Sequence, residues 1–474
     1  MNDKVLFSDN FYENEKMLDE YFRTDRNFDV VNTRFHVTKR EAKLYYIDGF
    51  VNNEISERVM NFMMSTSEQI PDGTSPEEFV ESVVSYIEMD VSTDMATISK
   101  VVYSGAILMI VDGFSTAFLI KTRNYPRRSV QEPDNDRVLR GAHDGFVEAL
   151  LINTALIRRR IRDRDLIMEV HEAGKRSRTD IAICYLDGKA DMKTVKMLRK
   201  KISEIDVNTL SMSQESLIEC LVKKQIFNPF PKVRYTERPD SAAACIAEGS
   251  IILLVDNSPA AMIVPTSFFE FLQDTNDYYL PPLIGTYLRL IRGLIFGLAL
   301  LLSPTWYLLI SNPDYIPEWL SFITIKEQYS IPVIAQLLII EVVIDTLKSA
   351  SLNTPNALSN SFSVIGALVL GDLAVTAKLF SSEVVLFMAF VAIANFAQPS
   401  FELGYAFKLS RIFILILTAI FNLWGFIAGV LIVFVQILCT KTVTGRGYLY
   451  PLIPFNARTL FRLLVRYPIS KDNT

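Results

Sequence analysis

Two carboxylates stand inside one of the most apolar stretches of the chain: Glu341 and Asp345, in LLIIEVVIDTL, residues 337–347. Four residues apart, they share one face of a helix. An ionisable group at mid-membrane costs several kcal/mol and usually faces a bundle interior or a water path. Alternatively, both sit in the interfacial layer at a helix end, just before Lys348. Asp372, in SVIGALVLGDLAVTA, is better centred in its apolar run and, with Asn395 and Asn422, suggests a hydrated seam. The adjoining Gly366 and Gly371 suit close helix packing equally well.

The elements that must carry these residues follow from charge. Residues 1–282 hold 35 Lys+Arg and 44 Asp+Glu, net −9; residues 283–474 hold 13 and 9, net +4. A charge-dense acidic front thus precedes a charge-poor back. A spanning helix needs about 20 apolar residues. Residues 293–313 are uncharged and follow Arg289 and Arg292, with a kink expected at Pro304. Residues 412–440 are also uncharged; as one helix they reach about 44 Å, against a hydrocarbon core of about 30 Å. Such a helix tilts, kinks near Gly425 and Gly429, or protrudes. Three interrupted apolar segments lie between, at 331–347, 361–379 and 384–399. Loop 311–330 has one Lys against three acids and is expected outside; residues 441–474 have six basic residues and one acid and are expected inside. Inside-to-inside requires an even number of crossings, whereas five segments are present. A re-entrant element at SLNTPNALSN, 351–360, would settle the parity.

In the front, LYYIDGF (44–50), LMIVDGF (108–114), ICYLDGK (183–189) and LLVDNSPA (253–260) are strands ending in Asp-Gly or Asp-Asn turns. Helical patterns separate the members of each pair. The spacing predicts two related α/β subdomains, roughly 30–122 and 178–268, with the aspartates as turn residues. Between them Val147, Leu150, Leu151, Thr154, Ile157 and Ile161 form one helical face, followed by an arginine run at 158–164. That run reads as a solvated, salt-bridged helix end or as a docking surface for a neighbouring subunit. Nucleic acid is disfavoured by the acidic surroundings.

Four scattered cysteines and three histidines give no zinc pattern and fit a reducing, cytoplasmic front. The N-terminus carries no apolar run behind a basic start, so no signal peptide is expected. GxxxxGK[ST], GxSxG and HExxH are absent, and neither an enzyme nor a cofactor is expected.

The segment EPDNDRVLRGAHDGFVEALLINTALIRRRIRD resembles the signature of the spore germinant receptor A-subunit (GerA) family. Glu132, Pro133, Arg140, Gly141, Gly145, Phe146, Glu148, Asn153, Leu156, Arg158, Arg160 and Ile161 fit its pattern; Ala142 and His143 depart from it. FSVIGALVLGDLAV, ANFAQPSFELGYAFKLSRI and GYLYPLIPFN fit its membrane part. SLNTPNALSN and ANFAQPSFELGYAFK are most similar to the stage V sporulation protein AF branch.

The resemblance implies an oligomeric membrane protein of the endospore inner membrane with a cytoplasmic N-terminal domain. It would act with other germination or sporulation membrane proteins as a channel when stored monovalent cations leave the core. Glu341, Asp345, Asp372 and Asn395 would then flank the ion path, since acidic rings favour cations. Arg140, Arg158, Arg160 and Glu148 are candidates for a subunit interface. A non-conducting receptor or scaffold and an ion-coupled transporter compete; repeated membrane halves, frequent in transporters, are not evident. The expected fold is an α+β region of two related α/β subdomains before an α-helical polytopic domain of about four spans plus a re-entrant or partial segment. The expected divisions are 1–122, a helical linker 123–177, 178–282, a transmembrane domain 283–445 and a basic tail 446–474.

Overall fold

The computed structural model describes residues 7–37, 40–51, 57–58, 60–61, 63–64, 74–83, 89–121, 141–222, 227–274, 276–325, 327, 329–353 and 374–466. Two compact units are present: Met1–Lys224 with Val233–Pro265, and Gln225–Lys232 with Thr266–Thr474.

The first unit holds two antiparallel five-stranded sheets. One contains β1 (Val30–Val37), β2 (Arg40–Ile47), β3 (Met89–Ser92), β4 (Ile107–Val111) and β5 (Ala117–Ile120). The other contains β6 (Leu166–Ala173), β7 (Thr179–Leu186), β8 (Arg234–Thr236), β9 (Ile251–Val255) and β10 (Ala261–Val264). Their orders, β1-β2-β4-β5-β3 and β6-β7-β9-β10-β8, are one pattern used twice. The repeat reaches individual hydrogen bonds. Asp48 N–H donates to the Asp29 carbonyl at 2.8 Å and Asp187 N–H to Asp165 at 2.8 Å; Asp112 N–H donates to Glu41 at 2.8 Å and Asp256 N–H to Asp180 at 3.0 Å. The residues after these aspartates, Gly49, Gly113, Gly188 and Asn257, all have left-handed φ, the backbone state that glycine and asparagine tolerate best. Both faces of the first sheet are covered, which is why β4 is apolar throughout. Ile107, Met109 and Val111 join one cluster, Leu108 and Ile110 the other.

Helices α1 (Phe11–Phe22), α2 (Met95–Val102), α3 (Leu150–Arg160), α4 (Met192–Ser203) and α5 (Pro239–Ala247) pack around these sheets. The second sheet begins earlier than the sequence suggests. β6 lies inside the stretch assigned to a helical linker, so that half starts at Leu166 and not at 178, and the unit ends at Pro265. The arginine run hid the boundary. It reads as helix continuing, but Ile161 is extended and closes α3. Arg159 and Arg162 of the run are exposed, as a solvated helix end requires, but Arg158 is not. Arg158 is fully buried and bidentate on Asp29, at 2.8 and 3.0 Å, and also donates to the Leu166 carbonyl at 2.9 Å. It therefore ties the first sheet to the second. Arg23 adds a bridge to Asp165 and Asp187 at 2.9 and 2.7 Å.

Glu169 of β6 accepts from Arg199 of α4 at 2.6 Å and from the Tyr185 hydroxyl at 2.6 Å. Burial pushes its pKa up, but the His171 ring 3.6 Å away and hydrogen bonds from Arg199 and Tyr185 outweigh this and bring it down to about 2. A depressed carboxylate stabilises the fold above its unfolded pKa, near 4.5, and that contribution is lost as pH falls toward 2. Acid titration followed by circular dichroism should show wild type losing stability relative to Glu169→Gln across that window. Parallel curves would count against this coupling.

The second unit is helical: α6 (Pro282–Ile310), α7 (Val333–Asn353), α8 (Ser382–Phe396), α9 (Phe401–Cys439) and α10 (Ala457–Leu464). Among the described residues, α6 and α9 are long and apolar enough to cross a membrane. The sequence has this over-long run tilt, kink near Gly425 and Gly429, or protrude; the chain breaks close to those glycines and turns back at Asn422, whose φ of 52° and ψ of −132° divide α9 into arms 401–421 and 423–439. The arms are antiparallel. Leu403, Ala406 and Phe407 share a buried cluster with Val433 and Ile437, whereas along a straight helix 403 and 437 would lie about 51 Å apart. A Cβ on Gly425 would collide with the Leu417 carbonyl, and one on Gly429 would lie 3.2 Å from the Ile414 Cα, so these glycines permit the close approach of the arms. Asn422 thus belongs to the turn and not to a polar seam; its amide exchanges hydrogen bonds with Asn312, just beyond α6, at 2.7 and 2.9 Å.

The other helices run along the same axis. Gln336, early in α7, accepts from the backbone N–H of Ser381, the N-cap residue of α8, at 2.8 Å, while Lys348, late in α7, lies 5.5 Å from the Phe396 ring at the far end of α8. So α7 and α8 are parallel. In α6, Phe296 meets Phe407 with ring centroids 5.3 Å apart. With the Asn312–Asn422 pair, this makes α6 parallel to the first arm of α9. The proposed re-entrant element at 351–360 falls largely outside the described residues.

Candidate functional site

The acids that open the sequence reading sit at mid-height in this unit. Glu341 lies in the middle of α7, not at its end, and is buried. It is fully engaged. Arg411 of α9 donates to Oε1 from Nε at 2.8 Å, with its second nitrogen at 2.6 Å. Lys408 Nζ lies 3.2 Å from Oε2 and also donates to the Glu341 carbonyl at 3.0 Å. Asp345, one turn further, takes Lys408 at 2.6 Å and keeps 43% of its side-chain surface exposed. The guanidinium of Arg411 also reaches the Ala299 carbonyl of α6. Two carboxylates and two cations thus bind three helices together, with no net formal charge.

The spacing explains the match. Glu341 and Asp345 are one turn apart on α7; Lys408 and Arg411 are three apart on α9, so both pairs project from single faces. Lone charges here would be costly, whereas paired ones offset most of the desolvation. Glu341 is therefore not a bare carboxylate facing an ion path, as the sequence suggests; Asp345 is the half-exposed member. Lys408 and Arg411 were missed as partners because Arg411 reads as a positive flank of the following apolar run. The usable signal was Gly404, Lys408 and Arg411 in FELGYAFKLSRI, on one helical face at i, i+4 and i+7.

Asn395, at the end of α8, lies beside Gln398 and Gly404. A Cβ at 404 would meet Gln398 Oε1 at 2.9 Å and Asn395 Oδ1 at 3.7 Å. Gly404 shares its face with Lys408, so these amides are one helical turn along from the charge cluster. Asp372 and Arg140 lie outside the described residues. Of the candidate interface residues, Arg158 is corrected: its complete burial leaves nothing for a neighbour to touch. Arg160 holds Asp144 at 2.6 and 2.7 Å, and Glu148 is exposed. The flanking Arg289 and Arg292 are not free surface charges either. Both engage the buried Asp277, at 3.3 and 2.9 Å.

A family model described as Bacillus/Clostridium GerA spore germination protein matches residues 16–474. Stage V sporulation protein AF of Bacillus subtilis (strain 168) is 37% identical over 461 residues, covering 96% of this chain and 93% of that protein. Spore germination protein KA of the same organism is 31% identical, covering 90% and 78%. Membrane protein YfkQ, again from that organism, is 30% identical, covering 90% and 83%. Among solved structures, the N-terminal domain of the A subunit of the Bacillus megaterium spore germinant receptor GerK3 aligns at 26% identity and a TM-score of 0.44, covering 56% of this chain and 98% of that one.

Proposed function

The chain belongs to the GerA spore germination family, and from that premise we propose that it is a membrane subunit of a germination complex, oligomeric in the spore inner membrane, that passes monovalent cations leaving the core. The observation that carries this reading is the charge cluster at mid-height with Asp345 half exposed. A structural salt bridge needs no solvent-facing acid, whereas a cation path does. Glu341, Lys408 and Arg411 hold the helices; Asp345 is the group placed to meet an ion. The test is cation flux through the protein in liposomes, with any co-expressed partner present. Asp345→Asn should lower cation-over-anion selectivity several-fold while the oligomer stays intact. Unchanged flux and selectivity would remove Asp345 from any ion path. A non-conducting relay subunit is the second reading, favoured by the complete pairing of Glu341; it calls for no flux from well-assembled protein.

The described helices support one orientation. With the first unit inside, α6 runs outward, α7 and α8 inward, and the two arms of α9 outward and inward, so Asn312 and Asn422 meet on the outer side. A cysteine introduced as Asn422→Cys should react with a membrane-impermeant maleimide added from outside. Labelling only after permeabilisation would overturn the scheme.

A further inference from the structure

Residues 441–466 contain five basic residues and no carboxylate. Instead of trailing as a basic tail, residues up to Arg466 fold against the base of α6. Tyr448 and Leu449 are buried anchors. The Leu463 carbonyl at the end of α10 accepts from Arg289 at 3.2 Å, and Arg466 N–H donates to Thr286 Oγ1 at 3.1 Å. Leu463 and Leu464 help line a small cavity of about 70 Å³ with Phe269, Leu272 and Leu290. These contacts fix the depth of the segment. It sits beside Thr286 and Arg289, one turn before the uncharged run of α6 begins at Gly293. The segment exposes Tyr450, Leu452, Ile453, Phe455 and Phe461, with Phe455 at 70%. Lys441, Arg446 and Arg458 are exposed among them.

We propose that residues 441–466 form a bilayer-surface element whose apolar side chains enter the inner leaflet and whose basic residues recognise anionic phospholipid headgroups. Three independent features converge on a lipid occupant. The depth is set by hydrogen bonds to α6 and not by the exposed side chains. Aromatic and aliphatic residues interleaved with arginine are the composition of interfacial segments. The charge is of one sign and complements an anionic leaflet, at about fivefold in affinity per basic residue. This inference rests on α6 crossing the bilayer, as the proposed function requires.

The test uses the full chain with Cys220, Cys245 and Cys439 replaced by serine, in nanodiscs of phosphatidylcholine alone or mixed with phosphatidylglycerol. An environment-sensitive fluorophore is attached through Phe455→Cys, and separately through Phe413→Cys on the exposed face of α9. The label at 455 should shift to the blue and be quenched by brominated acyl chains, more strongly in mixed discs. Arg446→Gln with Arg458→Gln should remove most of the extra quenching that phosphatidylglycerol gives at 455, since each basic residue near an anionic surface is worth about fivefold in affinity. A quenched label at 413 beside a water-like label at 455 would overturn the inference while leaving the membrane reading intact. Water-like labels at both sites would overturn both. Equal quenching in the two lipid compositions would overturn headgroup recognition, and protection at 455 that tracks oligomer formation instead of lipid would assign the surface to protein.

Discussion

Replacing Arg411 by leucine should destabilise the helical unit by about 3–5 kcal/mol, the range for removing one partner of a buried ion pair. The effect is large because Arg411 serves two helices at once. It neutralises Glu341 on α7 and reaches the Ala299 carbonyl on α6. Its loss leaves Glu341, almost inaccessible at 3%, with Lys408 as its only counter-charge among the described contacts, and Lys408 is shared with Asp345. Unfolding in mixed detergent micelles measures the loss. The double variant Glu341→Leu with Arg411→Leu should recover most of it, because an apolar pair removes the desolvation cost along with the attraction. Additive single effects, with coupling below about 0.5 kcal/mol, would mean the two residues act independently and would sink the account of the cluster.

The second large effect belongs to the first unit. Arg158→Met should also cost about 3–5 kcal/mol, since it strands Asp29 at 2% exposure without its bidentate partner. Arg158→Lys should recover little, because an ammonium cannot reproduce two parallel hydrogen bonds or also reach the Leu166 carbonyl. Since Arg158 joins the two sheets, the variant should broaden denaturant unfolding as the halves lose cooperativity. A sharp transition with an unchanged midpoint would show that the join lies elsewhere.

Much of this architecture is legible in the sequence, and the boundary between legible and hidden is physical. The Asp-Gly and Asp-Asn turns disclose the repeat because left-handed backbone restricts residue type at the turn itself. Glu341 and Asp345 declare a shared face because helical spacing is local. Their partners do not, because Lys408 and Arg411 are 67 and 70 residues distant; pairing at that range is a property of the packed bundle. Asn422 was visible as a polar residue in an apolar run but not as a turn. Asparagine tolerates positive φ, yet only the contacts of Gly425 and Gly429 with the opposite arm reveal that the chain reverses there. β6 was hidden by its neighbours, since Arg158 is spent internally yet stands in a run whose other arginines reach the surface.

The cancellation of charge at Glu341, Asp345, Lys408 and Arg411 has a consequence for how the protein responds to membrane potential. One elementary charge moved across the full field is worth about 2.3 kcal/mol per 100 mV. With α7 and α9 across the bilayer as proposed, a cluster of zero net charge moving as a body would gain nothing from that field. Neutralising a single member would leave an uncompensated charge at mid-height and give the cluster a dependence on potential that the balanced four lack.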